Sequence, residues 1–150
     1  MKRWMVWLLC WACSGVAMAG DVVVQDAWLR APAPGQDVAG VYLTIECAQV
    51  ATLTGAQSSA AGTVQLHRMS MQQGVMRMQQ VAGIRLPAGQ VVHLAPGGLH
   101  IMLIHLKQPL HSGDSVPLVL DVTVGDKAEH IDIQAVVRGF GDSQTGKMVH

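Results

Sequence analysis

Aromatic side chains are scarce in this sequence, with one tyrosine, one phenylalanine and four tryptophans in 150 residues. Three of those tryptophans, Trp4, Trp7 and Trp11, fall in the first eleven positions. Charge is scarce as well, at 13 % of residues and formally balanced, which excludes the basic footprint of a nucleic-acid-binding protein. No G-x-S-x-G, H-E-x-x-H or phosphate-cradling glycine loop occurs. Asp114 and Asp121 fall in a turn and on a strand, so no carboxylate pair is set for acid–base work, and nothing points to an enzyme. There is no internal repeat and no low-complexity tract. Cysteine is limited to Cys10, Cys13 and Cys47.

The first residues read as an export signal. Met1-Lys2-Arg3 is a basic start, Trp4 to Ala12 an apolar run, and Ala17-Met18-Ala19 a small-x-small cleavage pattern. The run falls short of the roughly 20 apolar residues of a spanning helix. A lipoprotein signal is the competing expectation. Against it, Cys10 follows Leu9, and Cys13 has Cys10 three positions before it. The expected division is a cleaved signal over 1–19 and one domain over 20–150, exported to the periplasm with no stable membrane association after cleavage. Cys10-Trp11-Ala12-Cys13 would leave with the leader, so its C-x-x-C spacing carries no redox or metal meaning. Cys47, closing an apolar strand, then reads as a small buried hydrophobe and no internal disulfide can form. Losing Lys2 and Arg3 leaves eight basic against ten acidic side chains. Roughly 130 residues suffice for one real core.

Period-two patterning runs through most of that domain. Val116, Leu118, Leu120, Val122 and Val124 share one face, as do Ile131, Ile133, Ala135 and Val137, and Gly125-Asp126-Lys127 turns between them. Further strands are expected over Val22–Ala27, Val38–Ile45, Thr63–Met71, Val75–Val81, Val91–Leu94 and His100–Leu106. Pro34-Gly35, Gln73-Gly74, Pro87-Ala88-Gly89, Pro96-Gly97-Gly98 and Ser112-Gly113-Asp114 punctuate them. No helical stripe competes. The fold class is all-β, an antiparallel sandwich or barrel.

Of nine methionines, three lie in the leader and five of the other six fall between Met69 and Met102. Methionine used as core filler would be scattered. His67, Met78, His100 and Met102 stand in the order H-x10-M-x21-H-x-M, with Met69, Met71 and Met76 close by. Imidazoles and thioethers without thiolate or carboxylate suit Cu(I) better than zinc, calcium or iron. Strand parity puts His67, Met69 and Met71 on the face opposite Val64 and Leu66. Met76 and Met78 share a face of the returning strand, and His100 and Met102 share one of theirs. Convergence from three strands, at a rim rather than inside the core, is the expectation.

Plainer readings compete with this one. A single strand methionine is ordinarily packing, but four or five on the face away from the core would be an apolar patch without structural need. A methionine-rich peptide-binding surface would leave His67 and His100 without a role. His93, His105, His111 and His130 lack ligand spacing and read as surface or hydrogen-bonded residues. A blue-copper site would need a cysteine beside histidine, and Cys47 has neither histidine nor methionine near it in sequence. Met148 and His150 have the chemistry for a second, weak Cu(II) site, although a frayed terminus is the plainer description.

At these residues the chain resembles the periplasmic copper chaperones of the PCu(A)C family, whose H-x10-M-x21-H-x-M pattern is met by His67, Met78, His100 and Met102. Ala27-Trp28-Leu29-Arg30-Ala31-Pro32, Ala39-Gly40-Val41-Tyr42, Met71 through Met78, Pro96-Gly97-Gly98 and Lys107-Gln108-Pro109-Leu110 with Gly113-Asp114 extend the likeness over nearly the whole domain. The resemblance implies a cupredoxin-like Greek-key β-barrel, an exposed Cu(I) site and copper delivery to the CuA-type centre of a respiratory haem–copper oxidase. Implied partners are oxidase subunit II or another periplasmic copper acceptor, and another copper chaperone; the carrier itself would be a monomer. Copper storage or detoxification, and a non-metal β-sandwich assembly module, are the alternatives. Two departures stand out. Arg68 replaces the acidic residue that often follows the first histidine, and the tail is short where some members carry a long His/Met-rich extension.

Overall fold

The computed structural model describes residues 18–19 and 21–139, and every regular element among them is a strand. In chain order these are β1 (Met18–Ala19), β2 (Val22–Arg30), β3 (Val38–Cys47), β4 (Ala51–Gln57), β5 (Ala61–Gln72), β6 (Val75–Gln80), β7 (Ile84–Leu86), β8 (Val91–Leu94), β9 (Leu99–Leu106), β10 (Ser115–Val124) and β11 (Lys127–Arg138). They form one hydrogen-bonded path, β6-β5-β9-β3-β2-β11-β10-β4-β7, with β1 beside β2 and β8 beside β3. A single buried cluster takes side chains from every strand of that path except β6. The path is therefore rolled on itself with one core inside, the all-β barrel-like sandwich that the alternation predicts.

Strand β2 carries a bulge where it meets β11. Its register with β3 shifts between Gln25 and Trp28, and Asp26 there has φ 55°. The bulge turns Trp28, Leu29 and Arg30 toward β11, which they meet in parallel at Val136, Val137 and Arg138. The other pairings are antiparallel. The β10–β11 hairpin forms as its alternation requires, with Val116, Leu118, Leu120 and Val122 buried across from Ala135, Ile133, Ile131 and Glu129.

Strands β4 and β7 are additions to the sequence-based expectation. In β4, Ala-Thr-Leu-Thr-Gly-Ala-Gln has small residues and a glycine, and its alternation breaks midway. Asp121 pairs with Gly55 but Val122 pairs with Leu53, so Thr54 is the extra residue of a bulge. The Thr54 hydroxyl donates to the Asp121 carbonyl oxygen at 3.0 Å, closing the gap. Past the bulge the inward positions move from Ala51 and Leu53 to Ala56, which hides the period. Strand β7 has three residues, too few to show one.

The expected leader covers residues 1–19, of which Met18 and Ala19 fall in the described range. They pair with Val23 and Val22, and cleavage after Ala19 would remove that pairing. Cys10, Cys13, Met148 and His150 lie outside the described residues.

Under the face that carries the histidines, Ile101 is 0 % exposed and sits opposite the buried Leu66 on β5 and Val41 on β3. Ile101→Ala should cost about 2–5 kcal/mol. Urea unfolding should show a lower midpoint with an unchanged slope. A cost below about 1 kcal/mol would mean that this layer is not the support of the face above it.

Candidate metal centre

Strand β5 lies between β6 and β9, and its two registers decide which side chains meet. On one side His67 is directly opposite His100, and Gln65 is opposite Met102. On the other, Met69 is opposite Met78, Met71 opposite Met76, and His67 opposite Gln80. Alternation then puts His67, Met69, Met71, Met76, Met78, His100 and Met102 on one face of a three-stranded segment. Met78 and Met102 are diagonal neighbours of His67 from its two flanking strands, within about 7–8 Å by backbone placement. Leu66 opposite Ile101 and Val64 opposite Leu103 point the other way into the core.

The two imidazoles face each other with ring centroids 5.7 Å apart. In each, one nitrogen is held by an oxygen and the other is buried with no partner. Nδ1 of His100 is 3.2 Å from the Gly98 carbonyl oxygen, which can only accept, so Nδ1 carries the proton and Nε2 keeps its lone pair. Nε2 of His67 donates to Oε1 of Gln65 at 2.9 Å, leaving Nδ1 with the lone pair. Among the described residues, His67 Nδ1 and His100 Nε2 are the buried side-chain nitrogens without a hydrogen bond. A buried polar atom with no partner is costly and calls for an explanation. A hydrogen-bonded far nitrogen is also how metal-ligating histidines are ordinarily oriented.

His67 titrates below its ordinary value of 6.5, first because burial penalises the imidazolium and second because a protonated His100 would repel it. Both effects keep the ring neutral, the form that can ligate.

Exposure is graded across the face. His100 is 4 % exposed, whereas Met78, Met76 and Met71 are 47 %, 46 % and 65 % exposed. The expectation of a rim site holds for the sulfurs of β6, but His100 lies deeper. Its cover is the Tyr42 ring, 6.2 Å away between centroids, and Tyr42 in turn meets Trp28 at 4.8 Å. Arg138 stacks its guanidinium 4.6 Å from the Trp28 ring centre. Gly40 makes that cover fit: a Cβ there would stand 3.0 Å from the Tyr42 hydroxyl and 3.8 Å from His100 Cδ2.

All four residues singled out by spacing thus share one face, with the two histidines in direct opposition. The hairpin brings the two methionine sets across from each other as strand parity suggests, but the roles of Gln65, Gly98 and Tyr42 are additions to the sequence-based account. Gln65 stands two residues before His67 and Gly98 two before His100, so the strand period could have flagged both. Elsewhere, His105 and His130 are exposed and bonded to Asp37 at 3.2 Å and Asp121 at 2.7 Å. His93 and His111 are exposed. Cys47 is free, 0 % exposed and seven residues along β3 from Gly40, far from the face. Among the described residues no three His, Cys, Asp or Glu side chains gather to hold a metal, so any centre here needs the thioethers.

Fold and face together define an all-β domain with a soft-donor His/Met surface. By the match of its family model over residues 22–137, the chain belongs to the family described as "LpqE-like: Putative lipoprotein LpqE-like". A relative from Leifsonia xyli subsp. xyli, "Putative lipoprotein Lxx21020", is 40 % identical over 108 residues, 71 % of this chain. The match spans 65 % of that relative's own length. Among solved structures, the copper-bound PCuAC domain from PmoF2 is similar at 26 % identity and TM-score 0.67, covering 81 % of this chain and 96 % of that domain. The solution structure of CuI-DR1885 from Deinococcus radiodurans is similar at 28 % identity and TM-score 0.63, covering 81 % of each chain. The cupredoxin-like fold is thereby established, and the PCu(A)C likeness of the sequence reappears in three dimensions.

The lowered His67 value has a consequence for stability. The unfolded chain takes up a proton near 6.5 that folded His67 refuses until a lower pH. The metal-free domain should lose stability as pH falls from about 6.5 toward the folded value, with no further loss below it. Thermal melts of the domain and of His67→Gln should diverge in that window, with the wild type losing more on acidification. Parallel curves would show that His67 is not held neutral by the fold.

Proposed function

We propose that this protein is a copper carrier of the bacterial envelope, binding one Cu(I) through His67 Nδ1, His100 Nε2, Met78 and Met102. The observation that carries this is the pair of buried, unpartnered imidazole nitrogens on the same sheet face as the paired methionines. A zinc site would add thiolate, carboxylate or further imidazole to the two histidines, and a calcium site would be built of oxygens, whereas the side chains that flank the two imidazoles here are thioethers. The copper-bound and CuI titles among the solved neighbours support the same metal. Two neutral imidazoles and two thioethers leave the ion its single positive charge, a soft trap of moderate depth. A thiolate site would hold Cu(I) more tightly and would be oxidised more readily outside the cytoplasm.

Delivery follows from the graded exposure. An acceptor's side chains can displace the exposed Met78 sulfur first while His100 still holds the ion, so copper never becomes bare. The acceptor we favour is the CuA-type centre in subunit II of a haem–copper oxidase, reached in the periplasm after export. Mass spectrometry of the mature protein distinguishes cleavage after Ala19 from a lipid-modified cysteine, the outcome that the family's description favours.

Metal preference and ligand identity are tested together. The mature protein should take up one Cu(I) in strong preference to Zn(II), with mixed nitrogen and sulfur scattering in X-ray absorption. His67→Ala, His100→Ala, Met78→Ala and Met102→Ala should each weaken binding by about tenfold or more. A shell of nitrogen and oxygen alone would refute the assignment. Transfer is tested by mixing the loaded protein with an apo subunit II domain, and copper that stays on the carrier would argue for storage instead.

A further inference from the structure

We propose that Met69, Met71 and Met76 form a second, outer Cu(I) site through which the ion enters and leaves the imidazole pair. This rests on the copper assignment above and concerns residues that the four-ligand pattern does not use.

The argument starts from the hairpin. Strand β9 stops pairing with β5 at Arg68–Leu99, while β6 continues to Gln72–Val75. The last rungs of the β5–β6 hairpin therefore extend past the body of the sheet. Their turn is Gln73-Gly74, with φ 51° and 77°, a tight two-residue link of the I′ kind. Such a turn pins the register, and a slip of one residue would send every methionine to the other face. As built, Met71 is directly opposite Met76 with their Cβ atoms about 5 Å apart, and Met69 is the diagonal neighbour of Met76.

Packing does not account for these side chains. Every residue of β6 is exposed, and β6 contributes nothing to the core. Met71 and Met76 are 65 % and 46 % exposed, and although a single exposed apolar residue is ordinary, several methionines grouped on one exposed face mark a binding surface. Three thioethers on flexible stems can close around a soft monovalent ion without any proton release. Within the outer set, Met69 stands nearest the inner site: it neighbours His67 along β5 and faces Met78 across the ladder. An ion held by Met69, Met71 and Met76 could pass to Met78 and His67 by exchange of one sulfur at a time. Copper stays Cu(I) throughout, so no electron or proton donor is required. Arg77 projects from the opposite face of β6, leaving the sulfur face without a fixed charge of its own.

The test compares the wild type with Met71→Leu/Met76→Leu. Leucine keeps the volume and loses the sulfur, and both positions are exposed enough that folding is not at stake. Three quantities are read: affinity for the first Cu(I) by competition, X-ray absorption of a second equivalent, and stopped-flow transfer to bathocuproine disulfonate. The wild type should bind a second equivalent with a sulfur-only shell, and the double variant should not. First-equivalent affinity should be unchanged, while transfer slows by about tenfold or more. An unchanged transfer rate overturns the proposal, even if the second equivalent is lost. So does a first-equivalent loss as large as that of His67→Ala, which would make Met71 and Met76 inner ligands. Failure of the copper assignment looks different: His67→Ala and His100→Ala would then leave the first equivalent unaffected.

Discussion

Strand β5 has partners on both sides, and the site exists through the register it keeps with each. Slipping β5 by one residue against β9 would bring Arg68 in place of His67 and turn His67 toward the core. What prevents the slip lies on the other side of the sheet. Leu66 opposite Ile101 and Val64 opposite Leu103 are apolar pairs on the inner face, and burying them is worth more than any contact on the face above. The Met69 amide also donates to the Gly98 carbonyl oxygen at 3.0 Å, the same carbonyl that orients His100. One backbone oxygen thus ties the edge of the hairpin to the imidazole that matters most.

The few aromatic residues take on meaning in this light. Trp28 and Tyr42, the aromatic side chains of the described range, stand in a row with His100 on one face, and Arg138 closes the row. They are not core residues; the core is aliphatic apart from Cys47. Tyr42 stands against His100, which is 4 % exposed, while the methionines of β6 on the other side of His67 are open to solvent. Gly40 is part of that arrangement because any side chain there would push the Tyr42 hydroxyl away.

Much of this was legible in the sequence, and what was not has a definite cause. Period-two alternation and glycine turns located most strands, because burial on one face enforces both. The spacing of His67, Met78, His100 and Met102 was visible since strand parity needs no coordinates. Strand β4 was hidden by the Thr54 bulge, which resets the very parity that sequence patterning relies on. The depth of His100 was hidden for another reason. Its neighbour Tyr42 is 58 positions upstream, and its position next to β9 is set by the non-local β3–β9 pairing.

The proposed role requires a carrier to hold its cargo against water yet release it to a partner, and the placement of donors by burial is suited to both demands. Nitrogen donors, whose lone pairs protons can capture, sit where water and protons have least access, and burial lowers the proton affinity of His67 further. Thioether sulfurs, which do not titrate, tolerate exposure, and those of Met71, Met76 and Met78 occupy the outer, exposed rungs while Met102 stays half-buried between β5 and β3. The one thiol of the described range, Cys47, is sealed in the core, where it cannot compete for a soft ion or be oxidised. Reversing the arrangement, with imidazoles outside and sulfurs within, would make retention depend on ambient pH and leave an incoming acceptor no labile ligand to displace.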